Sequence, residues 1–163
     1  GYFSDPDYLP GLAHFCEHML FLGTEQFPEE SSFDKYLSAN SGSSNAYTED
    51  EDTCFFFSCG PSAMPGALER FASFFTAPLF TASATERELN AINSEHQKNL
   101  QSDSFRINQI YCGRCNPKHP SSHFGTGNRI TLLERPKQLG LDIRAELLAY
   151  YRRFFCAPLM TLC

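Results

Sequence analysis

The sequence predicts an α+β fold, an antiparallel sheet with helices packed on one face, and three observations carry that expectation. Apolar residues recur at helical spacing in five segments, while "SSNAYT" and "TCFFFSC" flank an acidic turn as the arms of a hairpin would. Sixteen Phe and seven Tyr, with no Trp and only 20% charged residues, supply the apolar payload of a well-filled interior. At 163 residues the chain suits one domain, 1–163, able to bury about 70% of its unfolded surface.

The elements follow in order. Gly1 to Pro10 is turn-rich, with Asp, Pro and Gly punctuation in "SDPDYLPG". Leu12 to Leu22 reads as a helix apolar nearly all round, hence buried, with Gly23 as its C-terminal cap. Glu29 to Ala39 reads as a second helix, with acids in its first turn and "NSG" at its end. The hairpin pairs Ser44 to Thr48 with Thr53 to Cys59 across "TEDED". Ser62 is the expected cap of a third helix, Met64 to Phe75. One long helix from Ala84 to about Ile110 comes next, then a loop, Gly113 to Gly127, and a helix at Ile143 to Phe154. The closing "APLMTLC" has the look of a strand cut short, and the chain opens without Met, so a fragment incomplete at both ends is expected.

Charge narrows the function. A net charge of −6 with no basic cluster larger than Arg152-Arg153 argues against nucleic acid. The longest uncharged apolar run is too short for a bilayer, so no membrane span is expected. Seven scattered cysteines read as reduced thiols in a reducing, cytoplasmic compartment. Cys112 and Cys115 form a CxxC without a second ligand pair or a thioredoxin-like context, and read as incidental thiols.

The chemistry lies in "GLAHFCEHMLFLG". At about 100° per residue, Glu17 falls about 60° to one side of His14 and His18 about 40° to the other, so the three share one stripe. Imidazoles at i and i+4 can both reach one zinc at about 2.0–2.1 Å, which leaves Glu17 beside the open coordination position. The H-x-x-E-H order mirrors H-E-x-x-H and keeps its chemistry, in which zinc acidifies a water and the glutamate takes the proton. Five His and twelve Glu in this length give about 0.01 such matches by chance. A third ligand is needed, and "ERELNAINSEHQKN" offers Glu88 and Glu95, seven apart and some 10.5 Å along a helix. Only one of them can ligate the same ion, and the other is placed to orient an imidazole. Spacing alone does not say which.

The segments "GLAHFCEHMLFLGT", "SSNAYT", "RELNAINSEH", "NPKHP" and "FGTGN", in this order and spacing, resemble the inverted-motif zinc peptidases of the pitrilysin and insulin-degrading enzyme (insulysin) family, and its insulysin branch most. That resemblance implies a pitrilysin-type peptidase domain, one Zn2+ held by His14, His18 and Glu95, Glu17 as catalytic base and Glu88 supporting a ligand. It also implies that a substrate peptide adds as a strand along Ser44 to Thr48, meeting Asn45 and Ala46, and that Phe21, Tyr47 and Phe105 line a pocket beside the scissile bond. Phe105 and Asn108 stand where insulysins tend to carry a larger aromatic and a second aromatic.

The implied activity is zinc-dependent endopeptidase hydrolysis of short or unfolded peptides. The alternative is a non-catalytic peptidase-like binding or assembly subunit, which has no need to keep all four site residues. Family enzymes have four such domains in two halves, so the partners expected are peptide substrates and a C-terminal half absent from this sequence, with homo-oligomerisation left open. Alone, the 163 residues are expected to bind zinc poorly and to cleave little.

Overall fold

Helix α1, Leu12–Leu20, runs through the centre of the molecule, and all of its residues except His18 are buried. The computed structural model describes residues 1–163. Leu12, Phe15, Cys16, Met19 and Leu20 anchor one apolar core to which four other helices contribute and against which Phe55 and Phe57 pack. Around α1 stand α4 (Ala82–Asn99), α7 (Ile143–Phe154) and an antiparallel hairpin, β1 (Ser43–Thr48) with β2 (Thr53–Ser58). Helices α2 (Ser32–Ala39) and α3 (Met64–Phe74) pack together beside the hairpin, and α5 (Asp103–Cys112) and α6 (Arg135–Gln138) complete the helical set.

The hairpin register pairs Thr48 with Thr53 next to the turn and Asn45 with Phe56 further along. Alternation on β1 turns Ser44, Ala46 and Thr48 inward and leaves Asn45 and Tyr47 exposed. Phe33, Phe57, Phe71, Phe74 and Phe75 interlock beneath the sheet, with Phe57 and Phe71 centroids 5.0 Å apart and edge-to-face contacts at 5.1 Å and 5.3 Å. The aromatic-rich composition is thus concentrated where the helices meet one sheet face.

Asp5 caps the central helix from six residues upstream. Its two carboxylate oxygens accept the Gly11 and Ala13 N–H groups, each at 2.7 Å, so helix donors that have no partner within the helix are satisfied inside the core. Asp5→Ala leaves both donors buried and unpaired, at an expected cost of about 2 kcal/mol. In the intact protein this should appear as roughly 30-fold faster amide exchange along α1. Burial raises the Asp5 pKa from 3.8 to about 7, against the opposing hydrogen bonds from Ala13 and Gly11. The folded state then binds more protons than the unfolded state between those values. The Asp5 contribution is complete below about 4 and fades as pH rises through about 7, a limb that Asp5→Asn should flatten.

Five expectations are corrected. The helix expected from Ala84 to Ile110 is two: it stops at Asn99, Ser102 turns extended (φ −96°, ψ 122°), and α5 begins with Asp103 in its first turn. Ser62 does not cap α3 but lies in a 3-10 turn, Pro61–Ala63, that feeds it. Helix α1 ends at Leu20 rather than Leu22, although Gly23 does take the left-handed φ of +90° expected of it. Helix α2 starts at Ser32 because Glu29 closes a turn onto the Ser32 N–H. The terminal "APLMTLC" forms a short 3-10 turn, Ala157–Leu159, and no strand, since no neighbouring strand lies beside it to complete a ladder. A π-helical turn, Ile130–Glu134, leading into α6 had no counterpart in the sequence reading.

Candidate metal centre

Helices α1 and α4 cross so that His14, His18 and Glu95 converge. The His14 Nε2 and His18 Nε2 atoms are 3.2 Å apart, and Glu95 Oε2 lies 3.6 Å from the first and 3.5 Å from the second. Donors about 2.05 Å from a tetrahedral zinc stand about 3.3 Å from one another, so this triangle has the size of one face of a zinc tetrahedron. Two imidazoles and one carboxylate are also a donor set suited to zinc.

Each imidazole is held with its Nε2 toward the centre. His14 Nδ1–H donates to the Thr126 carbonyl at 2.7 Å, and His18 Nδ1–H donates to Glu88 Oε2 at 3.0 Å. Those partners hold each ring with its Nδ1 occupied and turn both Nε2 atoms to the space they share with Glu95 Oε2. Burial opposes charge on His18, but hydrogen bonds to Glu88 and Glu95 and the charges of Glu88 and Glu17 outweigh it, and its pKa rises to about 9. The His18 hydrogen bond in turn holds the Glu95 carboxyl below the usual range, against the opposing effect of burial. Carboxylates that favour a positive imidazole at this spot favour a cation there for the same reason.

Glu17 is buried one turn along the same stripe, and its Oε2 accepts a hydrogen bond from Thr48 Oγ1 at 2.5 Å. With His18 and Glu88 it borders a cavity of about 300 Å³, walled by Phe21, Leu22 and β1 through Ser44, Asn45 and Ala46. Asp34 closes the rim, accepting the Ser44 hydroxyl at 3.0 Å. Here the structure collects Glu17, His18, Glu88, Phe21, Asn45 and Ala46 in one place.

Tyr47 and Phe105 lie elsewhere. Tyr47 is on the outer face of β1 against Phe56, with ring centroids 6.4 Å apart. Phe105, carried off by the turn after Asn99, borders a second cavity of about 340 Å³ with His96, Asn99, Asn108, Phe124 and Thr126. Thr126 links that cavity to His14, so the donor triangle lies between the two hollows.

Sequence reasoning missed three supports. The Thr126 carbonyl, 112 residues from His14, gives no sequence signal because any residue has a carbonyl. Thr48 could have been found from strand alternation, which points it inward with Ala46. Asp5, the third, carries a signal, since an Asx side chain upstream of a helix is a strong cap, but in the sequence it is hidden among turn punctuation.

A helical layer over an antiparallel hairpin, with a His-His-Glu donor set between two helices, is compatible with a zinc site of the metallopeptidase kind. The chain is a member of the insulinase family, peptidase family M16, which its residues 1–118 match. Among relatives, insulin-degrading enzyme of Drosophila melanogaster is 54% identical over 99% of this chain, which spans 16% of that protein. The peroxisomal insulin-degrading enzyme-like 1 of Arabidopsis thaliana is 48% identical over 99% of the chain and 17% of its own length. The crystal structure of pitrilysin superimposes with a TM-score of 0.91 at 34% identity, over 98% of this chain and 17% of that one. The α+β, pitrilysin-like architecture expected from the sequence is therefore the one observed. No helix is long and apolar enough to cross a membrane, and all seven cysteines are unpaired.

Proposed function

We propose that this chain forms the catalytic centre of a zinc endopeptidase, with His14, His18 and Glu95 as metal ligands and Glu17 as the general base. The zinc-sized donor triangle carries the reading. Bound there, zinc supplies Lewis acidity and brings the pKa of a coordinated water to about 7.

The chain's own residues do the rest. Glu17 takes the proton of the attacking water on one oxygen while Thr48 holds the other, and returns it to the leaving amine. Glu88 and the Thr126 carbonyl keep the imidazoles in their metal-facing tautomers. A peptide added along β1 would bond the backbone near Asn45 and Ala46, and Phe21 would meet a side chain beside the scissile bond. Unpaired thiols agree with a reducing, cytoplasmic setting. Relatives about six times this length suggest that the intact enzyme encloses its peptide with a further half.

The test is metal dependence of the intact protein. Chelation should abolish hydrolysis of an unfolded fluorogenic peptide, and one equivalent of zinc should restore it. Full turnover after exhaustive chelation would sink the proposal.

A further inference from the structure

We infer that Thr48, aligned by Thr53, is a positioning residue for the Glu17 carboxylate, and that the hairpin end thereby sets the orientation of the base. The inference rests on the peptidase reading above and adds to it a role for two hydroxyls.

Thr48 Oγ1 has two polar neighbours, Glu17 Oε2 at 2.5 Å and Thr53 Oγ1 at 3.2 Å. A hydroxyl owns one proton, and an ionised carboxylate only accepts. The Thr48 proton therefore goes to Glu17, and the Thr53 proton goes to the Thr48 oxygen. The result is a directed chain, Thr53 to Thr48 to Glu17, across the final register pair of the hairpin.

Glu17 is buried on α1, and a glutamate has three side-chain torsions to fix. A charge-assisted bond to Oε2 restrains the last of them and leaves Oε1 as the oxygen free to accept a proton from water. The anchor sits on β1, which also borders the Glu17 cavity through Ser44, Asn45 and Ala46. A peptide that pairs with β1 would dock on the strand that carries this anchor. Binding and base alignment share one strand.

The test uses the intact protein, a saturating unfolded peptide and metal analysis. Thr48→Val, which keeps the shape and removes the hydroxyl, should lower kcat roughly 10- to 50-fold with KM within about twofold and zinc content unchanged. Thr48→Ser restores the hydroxyl and should recover kcat to within about threefold. Thr53→Val, which leaves the Thr48 bond unguided, should cost about two- to fivefold and serves if Thr48→Val does not fold. A packing role alone predicts the reverse for Thr48, with Val tolerated and Ser impaired. Wild-type kcat in Thr48→Val or in Thr53→Val, or a Ser variant no better than Val, overturns the inference. If Glu17→Gln also keeps full activity, Glu17 is not the base and that part of the peptidase reading has failed; if Glu17→Gln is inactive while Thr48→Val is normal, only the positioning role falls.

Discussion

Replacing Glu17 by Gln should reduce peptide hydrolysis by the intact protein by about 10²- to 10⁴-fold while its zinc content stays at one equivalent. The amide matches the carboxylate in size, and Thr48 can still donate to its oxygen, so the fold has no reason to change. What disappears is the ability to take a proton from water, a contribution of about 10²–10⁴ in general-base catalysis. Active-site titration with a tight peptide inhibitor should show unaltered binding, since Glu17 bears on the chemical step more than on the ground state. Substantial turnover with zinc in place would remove Glu17 from the reaction.

The second large effect concerns metal retention and separates two glutamates that spacing could not. Glu95→Gln replaces an anionic donor in the triangle by a neutral one, and zinc affinity should fall by more than about 100-fold in competition with a chromophoric chelator. Glu88→Gln acts one bond further out, through His18 Nδ1, and should cost only about 10- to 100-fold. Its Nδ1–H keeps an amide oxygen as acceptor, so the tautomer survives while ligand basicity drops. An inverted ranking, with Glu88→Gln the more damaging, would exchange the two roles.

The contrast shows what the sequence could reveal. The α1 stripe was legible because a helix converts spacing into angle, and His14, Glu17 and His18 lie within little more than one turn. The hairpin was legible because β-rich arms flank a turn of acids. The break after Asn99 was hidden by the lack of Gly or Pro; its one mark is the Ser-Asp-Ser start at Ser102, a helix-initiation signature inside an otherwise helical run. That break decides where Phe105 goes, to the cavity beside Thr126 rather than the one beside Glu17. The choice between Glu88 and Glu95 depended on how α4 slides along α1, a packing quantity that no single helix contains.

The carbonyl that fixes His14 has a consequence for the chain during synthesis. Both histidines and Glu17 lie on α1, but the acceptor for His14 Nδ1 is the Thr126 carbonyl, made 112 residues after His14. Its approach is allowed by two facing glycines, since a Cβ on Gly11 would come within 2.3 Å of the Gly127 Cα. A nascent chain that has emerged only as far as α4 therefore carries every donor of the triangle and yet leaves one imidazole free to take the wrong tautomer. At about 5–20 residues per second, that interval lasts seconds. The triangle is thus completed in orientation by a backbone carbonyl that is made after every one of the donors themselves.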